Sequence, residues 1–144
     1  MIRYSSVVTI NRRPSDVFAA LLDPDRYSQW TEMVDMTLDT PGAAKVGSHG
    51  QFRLAKGPIK GMLTYTITEL ESDRLVTFQI EHPTLAWRAV SRLEPAGEGT
   101  RLDYSGEIRL RGWRRLLEPF VGGEIRAGED KEVRVLKSLL EQGQ

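Results

Sequence analysis

Tyr65, Tyr104 and His82 are the residues of this chain best suited to moving a proton. A phenol or imidazole set in an apolar wall can trade a proton with a bound molecule, provided it stands within hydrogen-bond reach of the reacting atom. Ser91 and Trp87 add a hydroxyl and an indole N–H, polar groups that usually take a partner when buried. Each of these groups has a plainer reading as well, in which it bonds to a neighbouring side chain or backbone group. His82 precedes Pro83 at the end of an alternating segment, and His49 lies between Ser48 and Gly50; no acid or base stands at a spacing that pairs with either.

Other chemistries are excluded or weak. The chain has 144 residues and no cysteine, so it has no disulfide framework, thiolate nucleophile or zinc–thiolate cluster. Its two histidines, His49 and His82, lack the HxH or HxxxH spacing of a metal site, so no metal and no cofactor is expected. There is no GxSxG elbow, P-loop or GxGxxG turn, and Gly97-Glu98-Gly99 reads as a hairpin. Twenty basic residues balance twenty acidic ones, which argues against nucleic acid as the partner, because such binding rests on phosphate neutralisation. One local excess, Arg109, Arg111, Arg114 and Arg115 around Trp113, reads as a solvated corner or as a dock for an anionic ligand or acidic surface. The longest apolar run is Phe18–Leu22, far short of the roughly 18 residues of a membrane span. With no signal-like opening either, a cytoplasmic location is expected.

These side chains must be positioned by elements that the residue pattern outlines. Residues 2–10 alternate, with Tyr4, Ser6, Val8 and Ile10 on one side, as in a strand. Pro14 suits the first turn of a helix through Leu22, and Asp23-Pro24 caps and opens a second short helix ending near Trp30. The period then returns to two around 34–39, 51–54, 63–68, 76–81, 87–93 and 101–108, with turn residues between. From Gly112 the period becomes 3.6. Leu117, Val121, Ile125, Val135, Leu136, Leu139 and Leu140 form an apolar stripe, and Glu129, Asp130, Lys131, Glu132 and Arg134 read as a solvated face. Pro119, Gly122, Gly123 and Gly128 predict a break or bend near 119–123.

The expected class is α+β, in one domain spanning 1–144: a curved antiparallel sheet of six to seven strands wrapped around a long C-terminal helix, with two short helices after the first strand. A sheet and one helix leave space between them. The expected lining is Phe52, Leu54, Leu63, Tyr65, Ile67, Val76, Phe78, Ile80, Trp87, Ala89, Ser91, Tyr104 and Ile108, with Val121, Ile125 and Gly128 from the helix. Small residues on these faces, Ala89, Ser91, Gly106, Gly122, Gly123 and Gly128, suit either an open pocket or close packing.

The stretch Val8-Thr9-Ile10-Asn11-Arg12-Arg13-Pro14-Ser15-Asp16-Val17-Phe18, followed by Leu22-Asp23-Pro24-Asp25-Arg26-Tyr27 and Trp30, resembles the opening of the polyketide cyclase/dehydrase and lipid-transport proteins of the START-like superfamily, which also holds the birch-pollen-allergen relatives. Ile67-Thr68-Glu69-Leu70-Glu71, Leu93-Glu94-Pro95 and the ending Leu136-Lys137-Ser138-Leu139-Leu140-Glu141 extend the resemblance over nearly the whole chain. It implies a helix-grip fold whose pocket takes a small hydrophobic molecule such as a lipid, sterol, polyketide or quinone, with an aromatic at Trp30 closing one end. Three functions follow as expectations: a carrier of such a ligand, a cofactor-free cyclase or dehydratase using Tyr65, Tyr104 or His82, and a protein-interaction module without a ligand. The resemblance leaves homodimerisation open.

Overall fold

The computed structural model describes residues 1–142. Seven antiparallel strands form one sheet: β1 (Ile2–Ile10), β2 (Met33–Leu38), β3 (His49–Leu54), β4 (Leu63–Glu71), β5 (Leu75–His82), β6 (Leu85–Ala96) and β7 (Gly99–Leu110). Their spatial order is β1-β7-β6-β5-β4-β3-β2, so consecutive strands from β2 to β7 are neighbours and only β1 crosses to the far side. That crossing is made by helix α1 (Pro14–Leu22) and a 3₁₀ helix (Pro24–Gln29), the two short helices expected between the first two strands. Both start where proline needs no intrahelical partner. The Asp23 carboxylate caps the second by accepting from the Asp25 backbone N–H at 3.0 Å.

Alternation puts one face of each strand inside. In β1 the buried residues are Ile2, Tyr4, Ser6, Val8 and Ile10, the side expected from the sequence. A bulge breaks the β2–β3 register between Val34 and Thr37, and Asp35 there adopts a left-handed backbone at φ 55°.

A 3₁₀ helix (Gly112–Leu117) leads into α2 (Glu118–Glu141). The expected break near 119–123 is not there. Pro119 sits in the first turn of α2, where it starts the helix instead of interrupting it, and the helix runs unbroken through Gly122, Gly123 and Gly128. The irregular segment lies one step earlier, at 112–117.

Helix α2 packs chiefly on β1, at one edge of the sheet. Val133, Leu136 and Leu140 are buried there, each burial being worth about 1.5–3 kcal/mol. Polar side chains of α2 also hold the β1 segment: Asp130 accepts from the Ser6 hydroxyl at 2.8 Å, Arg126 donates to the Arg3 carbonyl at 2.9 Å, and Glu141 accepts from the Asn11 N–H at 2.8 Å. These contacts cover a strand edge that would otherwise be free to pair with another chain. No helix among the described residues is long and apolar enough to cross a membrane.

Candidate functional site

The concave face of the sheet carries an aromatic interior. Tyr65 meets Phe78 edge-on with ring centroids 5.5 Å apart, Tyr27 meets Trp30 at 5.1 Å, and Trp30 meets Tyr104 at 5.9 Å. Between them lies a cavity of about 10 Å³, room for roughly one water molecule. Seven residues expected to line a pocket do line it: Phe52, Tyr65, Phe78, Ile80, Ala89, Ser91 and Tyr104. Tyr27, Met33 and Met36 complete the wall. They come from the 3₁₀ helix and the edge strand β2, whose closeness to β4–β7 is set by the curvature of the sheet and is invisible in local periodicity. A second crevice of similar size shares Tyr27, Met36, Tyr65 and Phe78 with the first, so these four side chains form the partition between the two spaces.

Other expected lining residues sit elsewhere. Trp30, Leu63 and Trp87 are buried in the core without bordering the cavity, and Leu54, Val121 and Ile125 are half-buried against it. Gly128 is exposed, on the outer side of α2, and does not line the interior. Its helix turns the 122, 125, 129 and 133 positions inward, and 128 lies off that stripe.

The hydroxyls already have work. Tyr65 donates to the Thr37 carbonyl at 2.6 Å and so ties β4 to the bulged edge strand. Gly50 makes this possible, since a Cβ there would stand 1.9 Å from the Thr37 oxygen and 2.8 Å from the Tyr65 hydroxyl. Burial raises the Tyr65 phenol to about 12, so it is a neutral donor at ordinary pH. His82 is clamped at the β5–β6 hairpin, one ring nitrogen 2.8 Å from the Thr84 hydroxyl and the other 2.7 Å from the Lys60 carbonyl. Both nitrogens being engaged outside the cavity wall, His82 serves the turn. His49 is exposed and borders neither cavity.

The main departure from the sequence reading is Glu129. It is only 7 % exposed and points into the core, although its charged neighbours in the sequence suggest a solvated face. Tyr4 of β1 and Glu132 of α2 stand beside its carboxyl, and Tyr104 of β7 is close enough to feel its charge. Burial, then the Glu132 charge, push the Glu129 carboxyl well above the usual carboxylate range. Glu132, half-buried, is also raised, mainly by burial, and accepts from the Glu32 backbone N–H at 3.3 Å. The Trp87 indole donates to the Tyr4 hydroxyl at 2.9 Å, which explains how both are buried without orphaned groups.

Among the described residues, two buried side-chain atoms have no hydrogen-bond partner: Trp30 Nε1 and Glu129 Oε1. Burial with no partner costs about 1–3 kcal/mol for each such atom. The signal for Glu129 in the sequence is the core stripe alone. Counting back from Leu140 and Leu136 in steps of four and three reaches Val133, Glu129, Ile125 and Gly122.

The family model for polyketide cyclase / dehydrase and lipid transport proteins matches residues 1–140. No curated protein matches the sequence. Among solved structures, TTHA0849 from Thermus thermophilus is 13 % identical with a TM-score of 0.77, each chain being covered to 99 %. The Aha1 dimer from Colwellia psychrerythraea is 20 % identical with a TM-score of 0.72, over 100 % of this chain and 99 % of that one. Ara h 8.0201 is 12 % identical with a TM-score of 0.73, over 98 % of each. At these identities the likeness is one of fold.

Proposed function

We propose that this chain, which belongs to the polyketide cyclase/dehydrase and lipid transport family, binds one small, mainly apolar molecule in the cytoplasm, between the concave face of its sheet and α2. The observation that carries this reading is the pair of adjoining crevices divided only by the side chains of Tyr27, Met36, Tyr65 and Phe78. Met36 and Phe78 are half-buried, and methionine in particular repacks at low cost. Moving these two side chains joins both spaces into one apolar channel with Ser91, Tyr65 and Tyr104 as polar points on or near its wall. Binding is therefore coupled to opening, and the apparent affinity is reduced by the fraction of molecules that are open.

The test is native mass spectrometry of gently purified protein, together with melting temperature across a panel of fatty acids, quinones, sterols and aromatic polyketides. At least one class should add its mass and raise the melting temperature. A panel that shifts neither overturns the reading.

A second reading, an interaction surface, is favoured by one observation. Trp113 and Leu116 in the 3₁₀ helix before α2, and Phe120 in the first turn of α2, are 64 %, 76 % and 81 % exposed. Arg109, Arg114 and Arg115 flank them without a carboxylate in salt-bridge reach among the described residues, while Arg111 is paired with Glu81 at 2.6 Å. Arginines with exposed aromatics match an anionic bilayer surface. A symmetric dimer through this corner would set the same arginines against each other. Flotation with phosphatidylglycerol-containing vesicles, but not with phosphatidylcholine alone, is the expected result, and equal flotation or none removes this reading.

A further inference from the structure

The two crevices differ in depth. Apart from Met36 and Phe78, every residue around the first is buried, Ser91 and Tyr104 among them. The wall of the second includes Leu22, Pro24, Leu38 and Ala44, all half-buried, so it is the one that reaches the surface. A molecule moving from solvent to the inner crevice therefore crosses the partition of Tyr27, Met36, Tyr65 and Phe78.

Three of those four side chains are braced. The Tyr27 hydroxyl donates to the Leu21 carbonyl and the Tyr65 hydroxyl to the Thr37 carbonyl, each at 2.6 Å. Phe78 sits in β5, opposite Ile67 of β4 and Ala89 of β6, with its ring edge-on to those of Tyr27 and Tyr65 at 6.4 and 5.5 Å, so it moves only when its neighbours do. Met36 differs. It is an unbranched thioether in β2, an edge strand paired only with β3, and it stands at the bulge. Val34 faces Arg53 and Thr37 faces Gln51, so Asp35 and Met36 together stand opposite Phe52. A regular strand running on from Met33 opposite Leu54 would turn Asp35 inward at that place. The extra residue, with Asp35 in the left-handed region at φ 55°, gives the inward place to Met36. Asp35 is left outside, paired with Arg53, both of them exposed.

We propose that Met36 is the gate of the interior: its side chain swings on the bulge at Asp35 to pass an apolar molecule from the outer crevice to the inner one, and so sets the rate of entry. This rests on the interior being the ligand site. A methionine side chain changes rotamer at low cost, and β2 can give locally with a single ladder disturbed.

The experiment follows the neutral dye N-phenyl-1-naphthylamine by stopped-flow fluorescence with the wild type, Met36→Ala, Met36→Ile and Leu38→Ala. Met36→Ala should raise the association rate constant about fivefold, and the β-branched Ile, stiff at χ1, should lower it by as much. A gate acts on entry and exit alike, so dissociation should change in the same direction and the affinity less than either rate. Leu38 belongs to the outer wall and not to the partition, so Leu38→Ala should keep the wild-type rates. Equal association rates in the wild type and both Met36 variants overturn the proposal and leave the ligand-binding reading standing. A change confined to dissociation, or one that Leu38→Ala reproduces, overturns it too. Dye that binds Met36→Ala and not the wild type supports the gate. If it binds neither, the proposal falls, and the lipid panel decides separately whether the broader reading falls with it. Should one Met36 variant not fold, the other still decides.

Discussion

The ring of Tyr4 lies over Gly106, its register partner on β7, and fills the space that a side chain there would need. A Cβ on Gly106 would stand 2.3 Å from the Tyr4 hydroxyl and 2.7 Å from the Arg88 carbonyl. The absence of that one carbon lets Tyr4 reach across β7 to the Trp87 indole on β6. Gly106→Ala must therefore shift backbone as well as ring, and should cost about 1–3 kcal/mol in urea unfolding. It should also alter near-ultraviolet circular dichroism, because Tyr4 and Trp87 change surroundings together.

Removing only the Tyr4 hydroxyl isolates the hydrogen bond from the packing. Tyr4→Phe leaves the buried Trp87 N–H without a partner at an expected cost of about 1–3 kcal/mol. A double-mutant cycle with Trp87→Phe should show coupling, since the double variant has no orphaned indole. Simple additivity would show that the bond contributes little.

Glu129 makes stability depend on pH in a direction opposite to that of most carboxylates. Its folded-state proton is held well above the ordinary glutamate value of 4.5. The folded form thus binds the proton more tightly than the unfolded chain. The stabilisation is fully present below about pH 4.5 and is lost as pH rises through the raised folded value, by at most about 1.4 kcal/mol per pH unit for one proton. Glu129→Gln carries no such proton. Its stability relative to wild type should climb with pH above 4.5 in denaturant titrations, and a flat difference would show that Glu129 ionises freely.

Phe78 belongs to the partition between the two crevices. Phe78→Ala should join them, lowering stability by about 3 kcal/mol, at the lower end for such a truncation because the ring is half-buried. Binding of an apolar fluorescent dye should rise in step. A destabilised variant that takes up no more dye than wild type would argue that the crevices do not connect.

Trp113 is the exposed one of three tryptophans, with the Arg114 guanidinium 4.9 Å from its ring centre. Trp113→Ala should leave stability within about 0.5 kcal/mol. It should also shift the emission maximum to the blue, because the remaining indoles, Trp30 and Trp87, are buried.

Much of the architecture is legible residue by residue. Alternation at 2–10 names the buried side of β1, and the prolines at 14 and 24 mark both short helices. Seven of the cavity residues are legible for the same reason, because alternation tells which side chains share a face. The rest needs knowledge of what lies opposite. Gly106 suits either open space or close packing, and Tyr4 settles it by filling the space from a strand about a hundred residues away. Tyr65 reads either as a handle for a ligand or as bonded to a neighbour, and the bulge in β2 decides for the second by bringing the Thr37 carbonyl under its hydroxyl. The interior reads as either open or collapsed, and aromatic side chains leave it little room, Tyr27, Phe52, Tyr65, Phe78 and Tyr104 standing around what space remains.

By itself, then, the sequence determined which residues alternate, where helices start, and that no thiol chemistry is available, all properties set by residue type or within a few neighbouring residues. Only the tertiary structure decided the rotation of α2. A 3.6-residue period allows an apolar stripe to be drawn through Leu117, Val121 and Ile125 or through Gly122, Ile125, Glu129 and Val133. Packing against β1 selects the second, because Val133, Leu136 and Leu140 bury more apolar surface together than the cost of carrying one glutamate inward. That selection turned a residue of a charged run into a buried acid.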